Sequence, residues 1–281
     1  MFVESGDEVL ACTARGAGKG AVVGDRVIVD ADVVTQVGER KSELVRVDAL
    51  GDRPHLIAAN IDVMFIVCAV EPALKEGLID RYLVAAHAAR IAPEVVFNKI
   101  DLFLDDDPED EADFRERLSP YPSIAVPVHY VSAEEERGLD TVRAALAGRL
   151  GIFVGHSGVG KTSLLNSLVP GLTNRVQELS EQSGRGRHTT THTELFKVPS
   201  GGEIIDSPGI RAFGLWAIPP EEVRHHFVEF DKYAGQCRFA NCLHDHEPGC
   251  VVKDAVEREE INPLRYAAYL RIKDAQDDEL P

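Results

Sequence analysis

Cysteine is scarce: the 281 residues hold only five, an odd number. A disulfide framework is therefore not expected, and reduced thiols in a cytoplasmic protein fit better. Aromatic residues make up 6%, and no apolar run approaches the ~20 residues needed to cross a bilayer. Neither a membrane-spanning chain nor a membrane partner is expected. The first residues, Met1-Phe2-Val3-Glu4-Ser5-Gly6-Asp7, carry neither a basic cluster nor an apolar stretch, so they do not read as a secretion signal. Basic side chains are also few, 30 against 47 acidic ones, for a formal net charge of −17. Taken whole, that charge speaks against a nucleic-acid partner, because a polyanion favours a basic footprint. The exclusion is weak, because the acidic surplus is concentrated in segments such as 105–116, while Arg185, Arg187 and Lys197 surround a threonine-rich stretch.

What is present divides into three regions. Residues 1–57 hold short β-branched runs, 9–13, 26–29 and 33–37, separated by glycine-rich or charged breaks. They predict a small barrel of the oligonucleotide-binding (OB) type, with an SH3-like barrel as the alternative. In residues 58–216, buried-type strands over 62–70, 94–98, 124–131, 151–155 and 203–206 alternate with helical apolar spacing over 79–92, 139–146 and 161–168. That alternation predicts an α/β domain with a mostly parallel sheet and ligands at the carboxyl ends of its strands. Residues 217–281 hold three of the five cysteines, a charged helical stretch and a polar end.

Gly155-His156-Ser157-Gly158-Val159-Gly160-Lys161-Thr162 fits G-x-x-x-x-G-K-[ST], between an apolar strand and a helix that begins through Ser163. Glycines let backbone N–H groups turn inward around phosphates, Lys161 can reach the β and γ phosphates, and Thr162 can ligate Mg²⁺. The chain is expected to bind a nucleoside triphosphate. Asn98-Lys99-Ile100-Asp101 follows a buried run, where a carboxylate can accept from guanine N1–H and the 2-amino group together. Adenine would leave that carboxylate unpaired, so GTP and GDP are the expected nucleotides. Ser132-Ala133 follows another β run and offers a small backbone turn to the base, while Asp206 and Gly209 supply D-x-x-G for the Mg²⁺ shell and a γ-phosphate amide. A common GTPase places its phosphate loop first; here N-K-x-D and S-A precede it, and the threonines and D-x-x-G follow. One rotation reconciles all five motifs, so the domain is predicted to be a circularly permuted P-loop GTPase.

Cys237-x₄-Cys242-x-His244-x₅-Cys250 offers three sulfurs and one imidazole, a closed set suited to one structural Zn²⁺ in a C-terminal helical module. His225, His226 and His246 are rival nitrogen donors.

With these motifs in their order, the sequence closely resembles the RsgA (YjeQ) family of circularly permuted GTPases that act on the small ribosomal subunit. The likeness includes Val23-Gly24-Asp25-Arg26-Val27, Ala59-Asn60-Ile61-Asp62, Ile79-Asp80-Arg81-Tyr82-Leu83, Arg187-His188-Thr189-Thr190-Thr191 and Asp206-Ser207-Pro208-Gly209-Ile210-Arg211. The resemblance implies GTP hydrolysis stimulated by the small subunit, late in that subunit's maturation. It also implies contact with the subunit's rRNA and His244 as the nitrogen ligand. Ile210 stands where a water-orienting glutamine often follows D-x-x-G, so slow intrinsic turnover is expected. The resemblance makes His188 the candidate to position water, with His192 its competitor; Thr190 is the candidate Mg²⁺-sensing residue beside Thr189 and Thr191. An RNA-binding adaptor using GTP as a structural ligand is the alternative. A monomer is expected.

Overall fold

The computed structural model describes residues 1–6, 8–47, 54–103, 108–172, 193–206 and 218–274. Its centre is a six-stranded sheet. β8 (Val63–Ala69) is buried at every position, with no alternation, as a central strand covered on both faces must be. It pairs in parallel with β9 (Ala92–Asn98) on one side and β11 (Leu150–Val154) on the other. β10 (Val128–Tyr130) extends the sheet beyond β9, and β13 (Glu203–Asp206) lies parallel to β11. β12 (Glu194–Lys197) closes that edge antiparallel to β13. The order across the sheet is β10-β9-β8-β11-β13-β12. The chain enters beside the middle, builds outward to β10, returns to β11 and then builds the other way. That path is the topological counterpart of the permuted motif order, and it leaves a crevice at the carboxyl ends of the strands where the direction of building switches.

Two apolar layers hold the sheet. Met64 and Ile66 of β8, with Ile152 and Val154 of β11, face α1 (Glu76–Ala88), α2 (Pro108–Leu118) and α3 (Pro120–Ser123). Val63, Phe65 and Val67, with Phe153, face α4 (Leu139–Leu146) and α5 (Lys161–Leu168), whose Leu139, Val142, Leu146, Leu164, Leu165 and Leu168 fall at helical spacing. Boundaries depart from the sequence pattern where local chemistry intervenes. The strand expected over 124–131 starts only at Val128, because Pro120–Ser123 forms a helical turn and Ala125 has a φ of 61°. The helix expected over 79–92 runs from Glu76 to Ala88, since Ala92 already belongs to β9.

In the N-terminal region the described strands form three small sheets. β1 (Phe2–Ser5) pairs with β2 (Glu8–Ala11); β3 (Thr13–Ala14) and β4 (Val27–Asp30) flank β5 (Val33–Val37); β6 (Glu43–Val47) pairs with β7 (Pro54–Ala59). These sheets do not join into one closed barrel among the described residues. The run expected over 9–13 divides at Cys12, and the ladders slip at Ile28/Val29 and Leu44/Val45. Arg40 grips Asp25 through Nε and Nη2, both at 2.8 Å. Asn60 accepts from the Lys41 N–H and donates to Gly24 O, each at 2.9 Å. Ser42 Oγ donates to Ile61 O at 2.8 Å, so this seam ties the small sheets to the approach of β8.

Residues 218–274 build a third core from two 3₁₀ segments, Val223–His226 and Val228–Tyr233, with α6 (Val251–Glu257) and α7 (Pro263–Asp274). Phe227 and Phe230 stack at its centre with Tyr269 edge-on to both, and Val84 of α1 completes it. Arg265 is 3% exposed and lies between Glu229 and Asp80 of α1. Loss of one member of so buried a set costs about 3–5 kcal/mol, because the rest is left uncompensated. No helix among the described residues is long and apolar enough to cross a membrane.

Candidate nucleotide site and metal centre

Asn98, Ser132, Gly155 and Asp206 stand at or just past the carboxyl ends of β9, β10, β11 and β13, along one edge of the sheet. Asn98 is 1% exposed and spends its amide inside the protein: its Nδ2 donates to Val159 O at 2.9 Å and its Oδ1 accepts from Ala133 N–H at 3.1 Å. One amide thus ties the N-K-x-D turn to both the phosphate loop and the S-A turn. Lys99 adopts a left-handed φ of 65°, turning the chain so that Ile100 and Asp101 form a half-buried 3₁₀ turn. The Ser132 hydroxyl donates to Asp101 Oδ1 and accepts from Glu135 N–H at 3.0 Å, while Ser167 Oγ of α5 donates to Ala133 O at 3.2 Å. The carboxylate is held at one oxygen and remains able to accept at the other.

In the phosphate loop, Lys161 Nζ donates to Gly155 O at 2.7 Å and to His156 O at 2.6 Å, so the ammonium lies over the loop. Thr162 and Ser163 are exposed on the first turn of α5, where unpaired N–H groups favour anions. Ser157 and Gly158 are exposed at the loop's crest, and Val159 is buried beneath it. Two glycines are sterically required. A Cβ on Gly155 would stand 2.2 Å from Val67 O, and one on Gly160 would stand 2.3 Å from Asn98 Nδ2, with φ of 140° and 93°. Gly160→Ala is expected to push Asn98 off its bridge and lower nucleotide affinity about tenfold or more, together with ~1–2 kcal/mol of backbone strain. Isothermal titration with GDP measures the first effect and thermal unfolding the second; unchanged affinity would discount the Asn98 bridge.

The second cluster lies in the third core. The ligand atoms of Cys237, Cys242, His244 and Cys250 all fall within 4.8 Å of one another. Cys237 Sγ is 4.0 Å from Cys250 Sγ, close to the ~3.8 Å edge of a tetrahedron with Zn–S bonds of about 2.3 Å. His244 Nδ1 lies 3.3 Å from Cys250 Sγ and 3.6 Å from Cys237 Sγ; His225, His226 and His246 are not in the cluster. Three thiols and an imidazole without a carboxylate fit a soft divalent ion. Burial pushes the Cys242 thiol up to about 12, and burial together with Arg224 lowers the His244 imidazole, leaving it neutral. The loop is held from outside by Arg224 Nη1 on Cys242 O, Tyr269 on Leu243 O and Tyr266 on His244 O at 2.6 Å. Burial works to raise the Glu247 carboxyl, but the N–H groups of Leu243 and Asp245 hold it down to about 2. All five cysteines are free thiols, with Cys12 and Cys68 buried as small hydrophobes.

Sequence reasoning located the motif residues but missed what locks them: Asn98 as a bridge, Ser132 as the partner of Asp101, and the tyrosines and Arg224 around the cysteine loop. Asn98 and Ser132 left a signal, each by following a buried run; the tyrosines and Arg224 left none. His188, Thr189, Thr190, Thr191, His192, Gly209 and Ile210 lie outside the described residues.

The RsgA GTPase family model matches residues 37–216. A small ribosomal subunit biogenesis GTPase RsgA 1 of Vibrio parahaemolyticus is 44% identical over 277 residues, covering 94% of this chain and 77% of the relative. The RsgA of Chromohalobacter salexigens, with the same functional name, is 47% identical over 268 residues, with the same two coverages. Among solved structures, YjeQ from Thermotoga maritima superposes with a TM-score of 0.79 at 32% identity, covering 97% of this chain and 92% of its own. YloQ, described as a circularly permuted GTPase, gives 0.75 at 28% identity, with 96% and 87% covered. Motif order, sheet topology and these likenesses agree, and the chain belongs to the RsgA family of circularly permuted GTPases.

Proposed function

We propose that this GTPase acts on the small ribosomal subunit late in its maturation, as a cytoplasmic monomer whose turnover rises when that subunit is present. The observation that carries the nucleotide assignment is the Asn98 bridge, which joins the guanine-reading turn to the phosphate loop. In this reading Asp101, with Lys99, Ile100, Ser132 and Ala133, receives guanine, and Gly155 through Ser163 cradle the phosphates. Thr162, Asp206 and Thr190 form the Mg²⁺ shell, Gly209 contacts the γ phosphate and His188 positions water. Mg²⁺ would neutralise charge developing on the phosphates, and Lys161 would share that task. Cys237, Cys242, His244 and Cys250 hold one structural Zn²⁺, supported by the closeness of their four donor atoms, all within 4.8 Å of one another. The three functional units are an OB-type barrel over 1–57, the GTPase domain over 58–216 and the zinc module over 217–281. The barrel, the zinc module and the basic residues near His188 meet rRNA, a role for which the relatives' names provide the ribosomal context. The test is GTP turnover with and without purified small subunits, for the wild type and His188→Ala. Stimulation in the wild type that is largely lost in the variant is expected. No stimulation would overturn the ribosomal assignment, and full stimulation of His188→Ala would remove that residue from its role.

A further inference from the structure

α1 serves two cores at once. Ile79, Tyr82, Leu83 and Ala86 face the central sheet, whereas Val84 is buried in the C-terminal core. Asp80, one turn before Val84 on that second face, is 4% exposed and meets Arg265 Nη1 of α7, 185 residues away in the chain. Arg265 Nε also bonds Glu229 Oε1 at 2.8 Å, and its guanidinium lies 4.6 Å from the centre of the Phe227 ring. One residue further along α7, Tyr266 holds His244 O, and Tyr269 holds Leu243 O. A short line of contacts therefore runs from the cysteine–histidine loop through α7 to α1.

On its other side α1 forms a wall of the phosphate loop. A cleft of about 60 Å³ lies between them and is lined by Cys68, Leu78, Ile79, Tyr82, His156 and Val159. Tyr82 of α1 and His156, the second residue of the loop, line this cleft from opposite sides. The cleft lies on the loop side of α1, so how closely α1 approaches the loop also depends on what holds its far face. The buried charges at Asp80 are positioned to do so, because three partly neutralised groups out of water tolerate little displacement.

We propose that Asp80 and Arg265 are positioning residues for nucleotide binding, through which the metal-bearing C-terminal module holds α1 against the phosphate loop. The inference rests on the zinc assignment only for the module's end of the line. Because α1 borders the phosphate loop itself, it acts on the cradle shared by GDP and GTP; a link through D-x-x-G would act on GTP alone.

The experiment compares affinities for GDP and a non-hydrolysable GTP analogue in the full chain, with bound zinc assayed in each sample. Wild type, Asp80→Asn and Arg265→Lys are titrated before and after chelation. Asp80→Asn retains Glu229 as a partner for Arg265, and Arg265→Lys keeps a cation but loses the two-carboxylate fork. Each is expected to keep its zinc and to bind both nucleotides about tenfold more weakly. Chelating the wild type should produce the same loss, and chelating Asp80→Asn should add less than about twofold, since the line is already cut. Zinc-loaded Asp80→Asn with wild-type affinities would overturn the proposal, as would a loss confined to the GTP analogue. A lower melting temperature with unchanged affinity marks a purely structural pair and overturns it too. If the purified wild type holds no zinc, the metal assignment fails by itself, while the affinities of Asp80→Asn still decide the role of the pair.

Discussion

Asp101→Asn is expected to weaken GTP binding by about 10²–10⁴-fold and to create a preference for xanthosine triphosphate, with little change in stability. The Ser132 hydroxyl occupies Asp101 Oδ1, which fixes the plane of the carboxylate and leaves acceptor capacity for the base. Guanine presents two N–H donors on the edge a carboxylate can receive, and hydrogen bonds to a charged acceptor contribute about 1.5–3 kcal/mol each. Two such bonds account for the range given. An asparagine there presents N–H where guanine also presents N–H, so a donor meets a donor. Xanthine carries an oxygen in place of the 2-amino group and restores the match. Asp101 is half-buried on a 3₁₀ turn and takes no part in the apolar layers, so the melting temperature should move little. Competition of GTP, xanthosine triphosphate and ATP against a fluorescent GDP reports the outcome. Retained GTP affinity in the variant would remove Asp101 from the base-reading role, and equal ATP competition in the wild type would remove guanine selectivity altogether.

What could be read from the sequence follows a physical line. Gly155 to Thr162, Asn98 to Asp101 and Ser132-Ala133 were legible because their chemistry is local: a loop of glycines or a single carboxylate states its purpose within a few residues. The permutation was legible because it lies in the order of those motifs, and the sheet order of β8, β11 and β13 follows from it. β12 was not, since Glu194-Leu195-Phe196-Lys197 has little β-branched character and becomes a strand by pairing with β13. In residues 1–47 the runs at 9–13, 26–29 and 33–37 were legible, the strands Phe2–Ser5 and Glu43–Val47 were not, and closure depends on register and bulges, which composition does not carry. His244 was preferred to His246 only through the family likeness; in the structure it has a left-handed φ of 57° and its Nδ1 lies 3.3 and 3.6 Å from two of the sulfurs. The pairing of Arg265 with Asp80 was silent: Arg265 stands in a charged helical stretch that reads as a solvated face, Asp80 was seen only as part of the family likeness, and only tertiary packing brings them together out of water.

Metal removal is expected to unfold residues 218–274 while leaving the six-stranded sheet folded. The ligand loop, 237–250, contains no helix or strand. It is shaped by its four donors and by the groups that hold its carbonyls, and Cys242 and Cys250 are themselves members of the surrounding apolar core. That core is small. Phe227, Phe230 and Tyr269 pack with ring centres 5.0–5.5 Å apart, and α6 contributes only seven residues. Structural zinc sites contribute about 10–16 kcal/mol in isolated fingers, as much as the whole stability of a typical domain. A core of this size cannot replace that contribution, and loosening it exposes Arg265, Asp80 and Glu229 to water, where their mutual attraction is lost to screening. The sheet differs because neither of its two apolar layers includes a ligand, so its cooperative unit survives. Chelation should therefore produce rapid amide hydrogen exchange and proteolytic cuts confined to 218–274, with α1 partly deprotected on the Val84 face alone. Cys250→Ala should reproduce the pattern without a chelator. Full protection of 218–274 in protein shown to be metal-free would mean that the aromatic core carries the module unaided, and that the cysteines and His244 only decorate it.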